Sequence, residues 1–288
     1  MTALRVLAPG MQSLVQDLGR PGHAHIGVGR SGAADPGALR LANRLVANPE
    51  GAAGIEVLLG GLRLQAVGPV TVALAGADGE AYVDGRPVGR DAVLEVPDGG
   101  ELVIPVASRG LRTYVGVRGG IVVPAVLGSR SADRLAGLGP PPLVVGDELP
   151  VGPAPSELPP VDQAPVPPWP DEVVVPVLPG PHASWFADGL ATLTARAGYR
   201  ATPSSDRVAV RLDGQVVDRR PEDRGRELPP IGLVPGAVQI PPDGLPVVFG
   251  ADHPVTGGYP VLAVVRSSAL GALAQLRPGD PVRFTLTR

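Results

Sequence analysis

Cysteine is absent from this 288-residue chain, and so is lysine, because all 25 basic residues are arginine. The first absence excludes disulfides, thiolate nucleophiles, iron–sulfur clusters and cysteine-ligated zinc. The second excludes a lysine Schiff base, a P-loop lysine and covalently attached biotin. Long apolar runs are missing too: none approaches the roughly 18 residues of a membrane-spanning helix. The start, Met1-Thr2-Ala3-Leu4-Arg5, lacks a basic segment followed by an apolar stretch. A cytoplasmic location with no membrane partner is the expectation. Charge of one sign is lacking as well, with 25 basic against 28 acidic residues and a net of −3. No field exists to gather nucleic acid.

What is present is glycine and proline, 40 and 36 residues, separated by short runs of Val, Leu, Ile and Ala. Such runs closed by turn residues read as a mainly β fold. The expected strands include Val70 to Ala75, Ala92 to Val96, Leu102 to Val106, Thr113 to Val117, Val173 to Val177, Val208 to Leu212, Val261 to Val265 and Val282 to Leu286. Asp84-Gly85, Asp98-Gly99 and Asp213-Gly214 carry hairpin-turn chemistry. A few short helices interrupt the strands. One is capped by Asp35, opens at Pro36 and runs to Val46; the others span about His182 to Leu193 and Ser267 or Ser268 to Leu276. The length suits about two domains of roughly 150 residues. The proline-rich stretch suggests where they divide: a β-domain over residues 1–155, a linker over 156–170 and a second β-domain over 171–288. Gly146-Asp147 and Gly279-Asp280 each open a terminal strand, a hint that the two are related.

Several polar clusters invite chemistry, each with a plainer structural reading beside it. Gly27-Val28-Gly29-Arg30-Ser31-Gly32 spells a dinucleotide fingerprint, but no strand feeds it and the helix begins only after its last glycine. The same loop delivers Ser31 and Asp35 to a helix N-terminus that suits a carboxylate or oxyanion; alternatively, Asp35 merely caps. Asp252 to Pro260 concentrates Asp252, Thr256, Gly257, Gly258 and Tyr259, where paired glycines admit close backbone approach or form a plain turn. His253 there reads as an exposed loop histidine. Ser205-Asp206-Arg207 opens a strand with a guanidinium suited to bidentate capture of a carboxylate or ureido oxygen, or paired on the surface with its neighbour. Gly128-Ser129-Arg130-Ser131-Ala132-Asp133 has similar chemistry. His23 and His25 lack a third ligand nearby, so no metal is expected.

Taken in order, these pieces resemble the allophanate hydrolase subunit 2 or KipA-like family, described as the C component of 5-oxoprolinase. The resemblance is carried by Val15 to Gly22, Ser31-Gly32-Ala33-Ala34-Asp35-Pro36, Leu41 to Val46, Thr113-Tyr114-Val115, Gly128 to Ser131, Leu178 to Pro181, Ser205-Asp206-Arg207, Gly236 to Pro241, Thr256 to Pro260 and Gln275 to Asp280. It implies two cyclophilin-like β-barrel domains and a carboxyltransferase-type module, as in urea carboxylase. It further implies two partners in ATP-dependent cleavage of 5-oxoproline to glutamate: a KipI-like protein, the B component, and a LamB/YcsF-like protein, the A component. The ATP site is unknown, and biotin enters only in trans, under a carboxyltransferase alternative. A third alternative is a KipA-like regulator that binds a KipI-like kinase inhibitor.

By the same resemblance the shared cleft is expected from Ser31, Asp35, Ser205, Asp206, Arg207, Gln239, Asp252, Thr256, Gly257, Gly258 and Tyr259. Arg207, Asp206 and Asp252 are its catalytic candidates: Arg207 for the substrate carboxylate, Asp252 for a proton. The chain departs from the family pattern at Ala34, usually Met. It departs again at His253-Pro254-Val255, where three polar side chains are lost. A drifted substrate or lost catalysis is the expectation attached to that change.

Overall fold

The computed structural model describes residues 2–157 and 161–287. Of the expected linker, residues 158–160 lie outside the described residues. The chain forms two compact units. The first takes the chain up to Arg20, then Ser31–Asp133 and Gly137–Trp169. The second takes Pro21–Arg30, Arg134–Ala136 and the chain from Pro170 onward. Two short segments of the N-terminal half thus group with the second unit.

In the first unit, one sheet runs Glu148–Pro150, Ala3–Pro9, Leu62–Val67, Glu101–Ile104, Ala81–Val83 and Arg86–Val88 in spatial order. The other runs Gln12–Gln16, Gly54–Leu58, Arg109–Val117, Val70–Asp78 and Val93–Val96. Every strand pair in both is antiparallel. Alternation builds the core: Leu62, Leu64 and Ala66 are buried while Arg63 between them is exposed. Leu4, Val6, Ile55, Val57, Val72, Leu102, Val115 and Val117, drawn from both sheets, join them in one cluster.

The helix Pro36–Leu45 forms where expected, one residue shorter, with Val46 as its C-cap. Asp35 caps it by accepting from the Ala38 amide at 3.1 Å. Its apolar stripe of Ala38, Leu39, Ala42 and Leu45 packs on the strands Arg109–Val117 and Val70–Asp78. That approach needs Gly116, where a Cβ would lie 2.7 Å from the Ala42 carbonyl.

The second unit is a closed seven-stranded barrel ordered Val173–Pro179, Val261–Val265, Ala237–Gln239, Val247–Phe249, Ala209–Gly214, Tyr199–Ala201 and Pro281–Leu286. A parallel pairing of the first and last of these strands closes it, with Val175 opposite Phe284. Val175, Val177, Leu212, Val238, Leu262 and Val282 fill the interior, and Tyr199 meets Phe284 edge-on at 5.8 Å. The mainly β class is as expected; closure into a barrel is seen in the second unit, and the first is built on two sheets.

Local details differ from the sequence expectation. The expected helix from His182 is broken into a 3-10 turn, Ala183–Trp185, and the short helix Gly189–Leu193. The third likewise opens with the 3-10 turn Ser267–Ala269 before Leu270–Ala274. Asp84-Gly85 turns a hairpin, both residues with positive φ. Asp98-Gly99 instead leads from one sheet to the other, and Asp213-Gly214 lies within a strand, paired with Arg200 and Tyr199. Turn chemistry marks a bend in the chain, while strand partners are chosen by burial of whole faces.

Candidate functional site

In the second unit, the barrel register brings two of the sequence candidates together. Ala209 pairs with Phe249 in antiparallel strands, so Arg207, just before one strand, falls beside Asp252, just after the other. The Asp252 amide donates to the Arg207 carbonyl at 3.1 Å. The side chains then meet in parallel: Arg207 Nε to Asp252 Oδ2 at 2.8 Å and Nη2 to Oδ1 at 2.9 Å. The Arg134 amide also donates to Oδ2, at 3.2 Å. Both residues are buried. The fork expected to hold a substrate carboxylate is thus directed to Asp252, and Asp252, expected to take a proton, spends both oxygens on donors within the chain.

Ser205 and Asp206 serve the backbone at the start of the same strand. Asp206 Oδ1 accepts from the Val208 and Ala209 amides at 2.8 and 3.0 Å, and Ser205 Oγ accepts from the Arg211 amide at 3.0 Å. These are turn contacts of an exposed carboxylate and a hydroxyl.

Gln239 and the segment Thr256 to Tyr259 form a second cluster. The buried Gln239 amide donates from Nε2 to the Tyr259 carbonyl at 2.8 Å. Thr256–Gly257 pairs with Ile231–Gly232 in a two-stranded ladder. Gly257 is closely packed: a Cβ there would sit 2.7 Å from both Gln239 Nε2 and Leu233 Cδ1, and the ends of those side chains would have to move. Gly258 and Tyr259 are exposed and line a cleft of about 840 Å³ whose other walls include Val216, Arg219, Arg224 and Pro242. His253 is 6% exposed, not the exposed loop residue expected from its neighbourhood. Its Nδ1 lies 2.8 Å from the Pro254 carbonyl, which requires the proton on Nδ1.

Ser31 and Asp35 belong to the first unit. Ser31 is buried with φ +51°, a left-handed backbone uncommon for serine. Gly32, at φ +94°, packs so closely on Gly19 that a Cβ would lie 2.7 Å from its amide nitrogen. The Val15 to Gly22 and Gly128 to Asp133 motifs, not counted among the cleft candidates, hold this loop. The Ala33 amide donates to the Asp17 carbonyl at 2.9 Å. The buried Asp17 carboxylate accepts from Gly19 N at 2.8 Å, Ser129 Oγ at 2.6 Å, Arg130 N at 2.6 Å and Ser131 Oγ at 2.5 Å.

A second buried network meets the helix start. The Asp35 amide donates to the Tyr114 hydroxyl at 2.7 Å, which donates to Glu56 Oε2 at 2.7 Å; the Ala34 amide donates to the same oxygen at 2.9 Å. Arg112 Nε lies 3.5 Å from Glu56 Oε1. Burial first, then the Glu56 and Asp35 carboxylates, holds the Tyr114 hydroxyl well above its ordinary pKa, so it stays a donor. The available signal was a carboxylate flanked by apolar neighbours in a strand, Ile55-Glu56-Val57, whose charge needs buried partners.

Residues 26–286 match the family described as "Carboxyltransferase domain, subdomain A and B". The chain is 35% identical over 284 residues to the C component of 5-oxoprolinase from Escherichia coli, covering 98% of this chain and 90% of that protein. It is 33% identical to the C component of 5-oxoprolinase from Haemophilus influenzae, covering 95% and 87%. The crystal structure of the Kluyveromyces lactis urea amidolyase superposes with a TM-score of 0.92 at 29% identity, covering 99% of this chain and only 19% of that one. The chain therefore belongs to the carboxyltransferase-domain family, as the order of its short motifs implied.

Proposed function

We propose that this chain is the C component of an ATP-dependent 5-oxoprolinase complex that cleaves 5-oxoproline to glutamate. The observation that carries the reading is its nearly end-to-end similarity to two bacterial proteins of that name, against a match to a small fraction of the yeast urea amidolyase. The lactam amide is unreactive, so ATP activates its carbonyl oxygen by phosphorylation. Water then adds at that carbon, the ring C–N bond breaks with a proton passing to nitrogen, and a second water releases phosphate. With no lysine and no phosphate-cradling motif, this chain leaves ATP binding to its KipI-like and LamB/YcsF-like partners, the B and A components. Its own contribution is the second unit, in which the Arg207–Asp252 pair sets the loop that leads to Gly257 and Gly258; the Gly257 amide is taken up by the ladder with Ile231, and the exposed Gly258 amide beyond it suits developing oxyanion charge.

The test is reconstitution. The chain alone is expected to release no glutamate from 5-oxoproline and ATP, and the three-protein set is expected to release it. Release by the isolated chain overturns the division of labour; none from the full set overturns the assignment.

A second reading, a carboxyltransferase component of a urea-type carboxylase, is favoured by the family description and by the urea amidolyase match. Biotin would then arrive on another polypeptide, because this chain has no lysine to carry it. Transfer of labelled carboxylate from carboxybiotin to urea by the chain would select this reading.

A further inference from the structure

The Arg207 guanidinium is committed to Asp252, which leaves the substrate carboxylate of the proposed reaction without the partner that the Ser205-Asp206-Arg207 motif suggests. The second unit offers another. In the cleft beside Gly258 and Tyr259, Arg219, Arg224 and Arg226 converge, together with the carboxylates of Asp218 and Glu227. The three arginines are not equivalent. Arg226 is engaged: its guanidinium lies 4.6 Å over the Trp185 ring and its Nη1 pairs with Asp223 at 3.1 Å. Arg219 is held loosely, Nη1 and Nη2 reaching the Arg226 and Ile240 carbonyls at 3.3 and 3.4 Å, while its buried Nε has no hydrogen-bond partner. Arg224 is exposed, and no carboxylate lies within ion-pair distance of it or of Arg219 among the described residues.

The Arg219 Nε itself has no accessible surface, but its two Nη groups are held only by long carbonyl contacts and the Arg224 guanidinium lining the same cleft is exposed, so the Nη groups of both arginines are donors that a carboxylate entering the cleft can take. The walls are apolar where they are not charged: Val216, Pro241, Pro242 and the Tyr259 ring. Asp218 and Glu227 add acceptors for an N–H. We propose that this cleft is the recognition site for a small carboxylate that also carries an N–H group, with Arg219 and Arg224 taking the carboxylate. The proposal rests on the 5-oxoprolinase reading, in which the ligand is the lactam acid itself, and it makes these arginines the specificity-determining residues.

The test is steady-state kinetics of the reconstituted complex with Arg224→Gln and Arg219→Gln, thermal melting being used to check that each variant folds. Because a substrate contact kept from binding through reaction is removed, KM for 5-oxoproline should rise about tenfold or more in each, with kcat little changed. 2-Pyrrolidinone, which lacks the carboxylate, should compete equally well in wild type and variants. Wild-type KM values in both variants overturn the cleft and leave the 5-oxoprolinase reading standing. An inactive wild-type complex overturns that reading instead, and calorimetric titration of the chain with 5-oxoproline then judges the cleft. Heat that disappears in Arg224→Gln supports it, and no heat in wild type overturns it.

Discussion

Arg207 and Asp252 form a two-pronged ion pair inside the second unit, at 2.8 and 2.9 Å, with side chains 5% and 0% exposed. A pair of this kind costs desolvation to build, so its energetic signature appears when one half is removed. Its position at the end of a barrel strand and at the root of the Asp252–Pro260 segment makes it a positioning device, whatever ligand that segment serves.

Asp252→Asn keeps the shape of the side chain yet leaves a guanidinium buried without its counter-charge. It should destabilise the chain by about 3–5 kcal/mol in denaturant unfolding, as should Arg207→Ala. The double variant Arg207→Met/Asp252→Leu should lose far less than the sum. Additive losses would show that the two residues act independently.

Gly257→Ala places a methyl group against the Gln239 amide and Leu233. Gln239 must then withdraw from the Tyr259 carbonyl. Stability should fall by about 1–3 kcal/mol from overpacking. In the reconstituted complex, activity should fall with it, and Gln239→Ala in the same background should recover part of the lost stability by vacating the space. A second substitution with no effect would place the strain elsewhere.

Alkaline pH should loosen the fold through two tyrosines. Burial pushes the Tyr199 hydroxyl up to about 12, and burial together with the neighbouring carboxylates holds Tyr114 well above its ordinary value. Tyrosine in an unfolded chain ionises near 10, roughly, so the folded state holds these protons more tightly. The stability they contribute is complete below that pH and is lost as pH climbs from about 10 toward 12 and beyond. Tyr199→Phe should make the decline shallower. It should also raise stability at pH 7 by roughly 1 kcal/mol, because the Tyr199 hydroxyl is buried with no hydrogen-bond partner. Unfolding free energies measured at several pH values decide both points.

Tyr114→Phe removes the hydroxyl that joins the Asp35 amide to Glu56. It should cost about 1–3 kcal/mol, since a buried donor and a buried carboxylate each lose a partner. Asp35→Ala should cost about 1 kcal/mol as a lost helix cap. Both are to be read from denaturant midpoints at constant m-value, and a Tyr114→Phe chain as stable as wild type would sink the network's structural role.

What could be read from the residues alone was whatever acts over a few positions. Alternating apolar residues placed the strand Val261–Val265 to the residue, and Asp35-Pro36 placed a helix start, because periodicity and capping are local. The order of many short motifs disclosed the family, since the chain keeps them along almost its whole length. Which polar side chains face one another was decided only in three dimensions. Asp17 finds Ser129 and Ser131 more than a hundred positions away, and Arg207 finds Asp252 through strand register. The Arg207 motif looks the same whether its fork is open or closed, because a guanidinium beside hydroxyls does not reveal which carboxylate the fold will bring to it. Burial settles that choice: once the barrel desolvates Asp252, its charge needs a partner inside the protein, and the arginine carried there by register supplies it.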